Sequence, residues 1–356
     1  EEKALAEFVA AYLKDTVDNV FVTDLGENRS NVVAIIKGVR NKKKLVLNGH
    51  LDTVPYGNAE SWNYLPHKAT IDGQRIYGRG ASDMKSGLAA ALYAFKQFSY
   101  CNKRPGGDII FIGTADEESS GKGAYEILES GILNNVGAII IGEPTNNTIA
   151  LASKGALWVE FEIFGKTAHG AYPWEGINAI EIGYRIVDSI KDFYSGYSHK
   201  YLADPTCTIT GIGGGVRNNM VPDYCKTMVD IRTLPSFDHN SIIKHIDNKI
   251  KEMEKNNYGL RINRNILNNR CGVETDEQDA TVQLLAGIVK DVTGSAPCIS
   301  GTGFFSDASI FILKKYIPTI LFGPGSDSNA HKPNEFVDIN DFYTSLQCYG
   351  KLIHKY

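Results

Sequence analysis

The sequence has no apolar run near the ~20 residues that a membrane-crossing helix needs, no excess of positive charge and no closely spaced cysteines. Each absence excludes a class. The first removes a helical membrane span. With 37 Lys and Arg against 41 Asp and Glu and a net charge of −4, neither nucleic acid nor a membrane surface is an expected partner, because both call for a basic face. The one basic run, Lys42-Lys43-Lys44, is short and reads as a solvated turn before a strand. Cys101, Cys207, Cys225, Cys271, Cys298 and Cys348 form no C-x-x-C pair, so neither a disulfide framework nor zinc-finger spacing is present, and a reducing cytoplasm fits. Glu1-Glu2-Lys3 does not begin a secretion signal, while the missing initiator Met leaves open a trimmed N-terminus. There is no internal repeat or low-complexity tract. Gly213-Gly214-Gly215 lacks the Lys-Ser/Thr and following helix of a phosphate loop and reads as a turn.

What is present is ordinary globular composition, 43% hydrophobic and 22% charged over 356 residues. That length suggests two domains, each able to bury a core. Apolar runs at 31–36, 45–47, 108–113 and 136–141 read as strands, and 84–98 and 123–130 as helices. Their alternation points to a doubly wound α/β sheet, whose sites lie beyond the carboxyl ends of its strands. From 156 the rhythm changes. Strands at 156–164, 206–212, 224–232 and 260–267, with helices at 178–193 and 241–255, give the β-α-β-β-α-β order of a ferredoxin-like unit. The longer signals return at 280–292, 317–322 and 339–354. The simplest organisation is one domain of residues 1–155 and 269–356, interrupted by an insert of residues 156–268.

The polar residues that draw attention stand where strands end. His50 and Asp52 are two apart, so in a continuing strand both side chains share a face. Such a pair is either a structural hydrogen bond or a metal ligand with its supporting carboxylate. Asp83 precedes a helix and suits an N-cap. Asp116, Glu117 and Glu118 follow a strand, Glu143 ends another and is held extended by Pro144, and His331 follows the strand at 317–322. Each alone has an ordinary structural explanation. As a set, these nitrogen and carboxylate donors supply what two divalent ions ~3.5–4 Å apart require. With no thiolate among them they suit zinc, with cobalt or manganese as substitutes. One glutamate is left over as a general base.

Gly49-His50-Leu51-Asp52-Thr53-Val54-Pro55, the 77–87 segment ending Ser82-Asp83-Met84-Lys85-Ser86-Gly87, Ala115-Asp116-Glu117-Glu118 and Gly142-Glu143-Pro144 resemble, in order, the motifs of a zinc-dependent amidohydrolase family. That family includes acetylornithine deacetylase, succinyl-diaminopimelate desuccinylase, aminoacylase and glutamate carboxypeptidase. The resemblance spans nearly the whole chain. It implies a di-zinc exopeptidase-like catalytic domain with an inserted lid and dimerisation domain. It makes Asp83 a bridging ligand, His50 and Glu143 ligands of one ion, and Glu118 and His331 ligands of the other. Glu117 becomes the general base and Asp52 the residue that orients His50. In the insert, His169 resembles an oxyanion-stabilising histidine delivered across a homodimer, Asn219 a residue that assists it, and Arg232 a grip for substrate carboxylate. Glu rather than Asp at position 143 resembles the deacylases and carboxypeptidases. The segment 305–309 departs from the desuccinylase and deacetylase pattern, which commonly has an arginine or similar polar residue near Ser309. The implied activity is removal of an acyl group from an N-acyl amino acid, of the deacetylase or desuccinylase type found in amino-acid biosynthesis. A dipeptidase or carboxypeptidase is the alternative within the enzymes, and a non-catalytic binding protein of the same fold the alternative outside them.

Overall fold

The computed structural model describes residues 2–40 and 42–356. Glu1, at the head of the stretch read above against a secretion signal, and Asn41 lie outside the described residues. The chain forms two compact units. The first contains the segment up to Ala152, Glu274–Thr302 and Ser306–Tyr356, and the second Ser153–Val273 with Gly303–Phe305. These limits differ by a few residues from 155/156 and 268/269, because the last strand of the insert runs on to Arg270.

The first unit opens with α1 (Glu2–Leu13), β1 (Asn19–Gly26), β2 (Arg29–Ile36) and β3 (Lys44–His50). A small excursion, β4 (Thr70–Asp72) and β5 (Arg75–Tyr77), precedes α2 (Lys85–Ser99), β6 (Ile109–Thr114), α3 (Lys122–Glu129), β7 (Val136–Ile141) and β8 (Ile149–Ser153). The second unit holds β9 (Gly155–Phe164), α4 (Ala179–Phe193), β10 (Thr206–Gly214), β11 (Tyr224–Thr233), α5 (His239–Asn256) and β12 (Arg261–Arg270). The chain then returns with β13 (Val273–Glu274), α6 (Ala280–Thr293), β14 (Ile299–Thr302), α7 (Ala308–Phe311), β15 (Thr319–Leu321), β16 (Phe336–Asp338) and α8 (Ile339–Lys355).

The first unit is built on a nine-stranded mixed sheet in the order β1-β2-β6-β3-β7-β15-β8-β13, with β14 on β8. β3 pairs parallel with both β6 and β7, and β15 parallel with β7. The sheet is covered on both faces. Leu45, Leu47, Ile109, Phe111, Ala138 and Ile140 form one core with residues of α1, α2, α6 and α8. The intervening Val46, Ile110, Ile112, Ile139 and Ile141 point to the opposite face and are buried as well. Continuous apolar runs rather than alternation follow from this double burial. On α2, buried Leu88, Ala91, Phe95 and Phe98 recur at spacings of three and four and make the stripe that meets this core. The strand expected at 317–322 is only Thr319–Leu321, since Pro318 has no N–H to give a ladder.

The second unit is a four-stranded antiparallel sheet, β10-β11-β9-β12, with α4 packed on β9, β10 and β11 and α5 on α4 and β12. Alternating burial along β9 and β11 gives each a buried and a wetter face. Asn178 caps α4 by accepting from the N–H groups of Ile180 and Glu181, and Asp238 caps α5 by accepting from Asn240.

One close approach fixes the first unit around its polar centre. A Cβ added to Gly87, in the first turn of α2, would lie 1.8 Å from the Gly142 carbonyl oxygen just past β7. Only a residue without a side chain lets the helix start rest on that strand end, which joins Asp83 and Glu143 through their neighbours. Gly87→Ala is expected to lower the unfolding free energy in urea by about 1–3 kcal/mol through overpacking, despite the better helix propensity of alanine. An unchanged or raised urea midpoint would show that this contact does not constrain the fold.

Candidate metal centre

The parallel strands β3, β6, β7 and β15 end together, and their carboxyl ends carry the polar residues. His50 is the last residue of β3 and lies opposite Thr114, the last of β6. Asp116–Glu118 follow β6, Glu143 follows β7, and His331 lies on the loop after β15. Asp83 comes from the turn before α2. It is not that helix's N-cap: Met84 holds the position, with no side-chain cap bond. The Asp83 carboxylate faces two histidines instead.

His50 Nε2 is 3.1 Å from Asp83 Oδ1, and His331 Nε2 is 3.3 Å from Asp83 Oδ2 and 3.0 Å from Glu118 Oε1. The structure thus brings together two triads, His50-Asp83-Glu143 and Asp83-Glu118-His331. Within each, the potential ligand atoms lie within 4.8 Å of one another, and Asp83 belongs to both. Ligands at ~2.0–2.1 Å from a tetrahedral ion stand about 3.3 Å apart, so the measured separations need little adjustment to hold one.

The acids after β6 divide their tasks. Asp116 has φ +68, a left-handed backbone that is uncommon for a non-glycine residue. Its carboxylate turns away to Arg29 Nη1 at 2.8 Å and to the hydroxyl of Ser120. Glu117 and Glu118 are left at the centre, their backbone N–H groups donating to Asp52 Oδ1 and Oδ2 at 3.1 and 3.0 Å. Asp52 therefore acts differently from the side-chain pairing its spacing suggests. β3 stops at His50, and the His50 ring is met by the Asp52 main-chain oxygen, 3.1 Å from Nδ1, with the carboxylate at 3.6 Å. A carbonyl only accepts, so Nδ1 carries the proton and Nε2 faces Asp83.

The electrostatics ask for a cation. Burial pushes Glu117 and Glu143 well above the usual carboxylate range. The charges of Glu143, Asp307 and Glu118 add to this at Glu117, and those of Asp83, Asp307 and Glu118 at Glu143, against the opposing effect of His50. Burial works the same way on Asp83, but hydrogen bonds from His331 and His50 hold it well below that range. His331 is pushed up to about 10 by Asp83 and Glu118. Glu117 Oε1 is buried without a hydrogen-bond partner among the described residues. The donor set, its spacing and this uncommitted oxygen fit two divalent ions with a carboxylate in reserve.

Other residues at the centre were not legible from the sequence. Glu335 is fully buried and accepts from Arg79 Nη1 at 2.5 Å and from the N–H groups of Ser82 and Asp83 at 2.8 and 3.0 Å. It fixes the turn that presents Asp83. Asp307 accepts from the hydroxyl of Thr114 at 2.5 Å and adds its charge near Glu117 and Glu143. A single Glu or Asp in an irregular segment gives no periodic or spacing signal by which to find it.

The remaining candidates lie in the second unit. His169 is exposed, its Nδ1 accepting from the N–H of Ala171 at 3.1 Å, and it bridges to Met220, beside Asn219. Gly170 donates to the Asn219 carbonyl at 2.7 Å, so the loops of His169 and Asn219 meet. Arg232 is half-buried, and its Nε and Nη2 donate to Asp230 at 2.9–3.2 Å.

A carboxylate shared by two histidine-carboxylate triads, at the ends of parallel strands in a mixed sheet, is the build of a metallohydrolase. Residues 46–355 match the model of peptidase family M20/M25/M40, and the chain belongs to that family. It is 27% identical to a probable succinyl-diaminopimelate desuccinylase of Staphylococcus aureus, with 98% of this chain and 92% of the relative covered. Among solved structures, an M20 family metallo-carboxypeptidase from Sulfolobus solfataricus superposes with a TM-score of 0.78 at 20% identity, over 99% of this chain and 93% of the other. A dinuclear metal binding peptidase of the same family from Bacillus subtilis gives 0.73 at 18%, over 99% and 92%. The family expected from the motifs is the family found. Among the described residues, no helix is long and apolar enough to cross a membrane.

Removing Glu335 leaves Arg79 buried without its counter-ion and frees the turn before α2. Glu335→Ala is expected to cost about 3–5 kcal/mol of stability, measured by urea denaturation. A cost under about 1 kcal/mol would mean that Glu335 does not hold this segment.

Proposed function

We propose that the protein hydrolyses the amide bond of an N-acyl amino acid, of the deacetylase or desuccinylase type. The observation that carries this reading is the pair of triads sharing Asp83, with the buried Oε1 of Glu117, unpartnered among the described residues, beside them. His50, Asp83 and Glu143 would hold one divalent ion and Asp83, Glu118 and His331 the other, most simply zinc, with cobalt or manganese as substitutes. When bound, the ions supply Lewis acidity and make water acidic enough to attack at neutral pH.

The chain's own groups do the rest. Glu117 takes the proton of the attacking water at its carboxylate and returns it to the departing amine nitrogen. Its Oε1 is buried with no hydrogen-bond partner among the described residues, which suits a group that must take up a proton and release it again. Asp52 positions both sides of the centre: its main-chain oxygen fixes the His50 tautomer, and its carboxylate holds the Glu117–Glu118 backbone. On the motif resemblance, His169 stabilises the oxyanion with Asn219 beside it. It would be delivered from a second copy of the chain, in a homodimer made through the inserted unit. Arg232 would meet a substrate carboxylate with Nη1, since Asp230 engages its other two nitrogens. Six free cysteines suit a reducing cytoplasm.

The 27% identity with a probable desuccinylase over nearly the whole chain and Glu at position 143 support the acyl reading. The same machinery would cleave a peptide bond, and the fold shared with a carboxypeptidase makes that the second reading. Glu117→Gln is expected to keep the metal content of the wild type, by elemental analysis, and to lose at least about 10²-fold in kcat. Wild-type turnover in this variant would end its assignment as the base. Free-amine release by the zinc-loaded protein from N-succinyl-diaminopimelate, N-acetylornithine, other N-acetyl amino acids and simple dipeptides, with and without chelator, decides the substrate. Chelator-sensitive cleavage of an N-acyl amino acid is the expected result. Cleavage of dipeptides alone would make it a peptidase, and no cleavage of any would leave a binding protein of this fold.

A further inference from the structure

The first unit contains a concavity that neither the candidate metal ligands nor Glu117 line. Its volume is about 770 Å³, well within the range of small-molecule sites. Val54, Pro55, Ile76, Ala89, Val337 and Phe342 contribute apolar walls from the segment after Asp52, from β5, from α2, and from β16 and the start of α8. Lys85 and Arg79 line the same space.

Both cations have capacity to spare. Lys85 is half-buried, and its ammonium forms no hydrogen bond or ion pair among the described residues. Its stem runs against Gly80, whose added Cβ would lie 3.2 Å from Lys85 Cδ. The acids around it act only at a distance, and each is committed elsewhere. Asp52 accepts from the N–H groups of Glu117 and Glu118, Glu2 pairs with Arg29, and Glu335 pairs with Arg79. The Arg79 side chain is 8% exposed and its Nε is buried without an acceptor among the described residues. Glu335 does not supply one, because it is already shared between Arg79 Nη1 and the N–H groups of Ser82 and Asp83.

We propose that this cavity is a binding site for a small amphipathic monocarboxylate, its carboxylate on Lys85 and Arg79 Nε and its apolar body among Val54, Ile76, Val337 and Phe342. One ammonium and one spare guanidinium N–H match a single negative charge, and the apolar walls disfavour a compact, strongly hydrated anion such as phosphate. The site shares its polar wall with the metal centre: Lys85 N–H donates to the Gly80 carbonyl at 2.9 Å, and Arg79 reaches the N–H of Asp83 through Glu335. The proposal does not depend on the substrate assigned above.

The test uses the zinc-reconstituted protein and octanoate as probe, with octanamide and inorganic phosphate as controls, by isothermal titration calorimetry. The proposal expects one octanoate per chain, at least tenfold weaker binding of octanamide and of phosphate, and at least tenfold weaker octanoate binding in both Lys85→Met and Ala89→Trp. Ala89 is an exposed α2 residue on the cavity wall, so its tryptophan fills the apolar end while leaving Lys85 in place. Methyl NMR of the unmutated protein reads the same site without a variant, as octanoate-induced shifts at Val54, Ile76 and Val337. Absence of octanoate binding, equal binding of octanamide or phosphate, unchanged affinity in both variants, or unshifted methyls at these residues would each overturn the proposal. Loss of octanoate binding on chelation, with the variants unaffected, would put the carboxylate on the metals.

Discussion

Negative charge gathered out of water around Asp83 is the constraint to which the rest of the first unit answers. Carboxylates do not share a buried site unless a cation or a proton relieves them, and here Asp83, Glu117, Glu118, Glu143 and Asp307 act on one another. The fold spends fixed donors on the members that must stay ordered. Two histidines meet Asp83, two backbone N–H groups meet Asp52, and Arg79 with two more N–H groups meets Glu335. Glu117 Oε1 is left without such a partner. That contrast between committed and uncommitted oxygens is the basis on which Glu117 is proposed as the group that moves a proton.

The sheet makes this gathering possible because it is parallel at its middle. β3, β6, β7 and β15 run the same way, so side chains from sequence positions as far apart as His50 and His331 arrive at one edge. The glycine pair Gly87 and Gly142 then closes the remaining distance between the start of α2 and the end of β7.

Much of this was legible in the sequence, and the limits have physical causes. Long apolar runs such as 136–141 announced the buried central strands, and the β-α-β-β-α-β order of the insert appears in the structure with helix and strand ends shifted by at most three residues. The short α7 and β16, the amphipathic α1 and the strand β8 were not anticipated: the first two lack a period to detect, and the last is made beside a partner far along the chain. At the centre, His50, Asp83, Glu118, Glu143 and His331 were legible because they follow strand ends or stand in family motifs, and the structure brings them together in two triads. The hold of the Asp52 carboxylate on the Glu117–Glu118 backbone was not, since it depends on where β3 stops. Nor was the turning away of Asp116, which follows from a left-handed backbone at one residue. Glu335 stayed hidden because its importance lies wholly in what tertiary structure brings to it.

The insert begins and ends as a ribbon, Ala156 on β9 lying opposite Arg270 on β12, and it interrupts the host between β8 and β13, which are neighbours in one sheet. The chain therefore comes back to within about one strand spacing of where it left, ~5 Å. For the host, an excursion of more than a hundred residues is topologically a hairpin loop. Once the insert's own strands have paired, the host pays the closure entropy of a short connection rather than of a long one. An evolutionary exchange of the whole insert, or a change in its length, would then leave the host sheet's register and the geometry at Asp83 with little to accommodate.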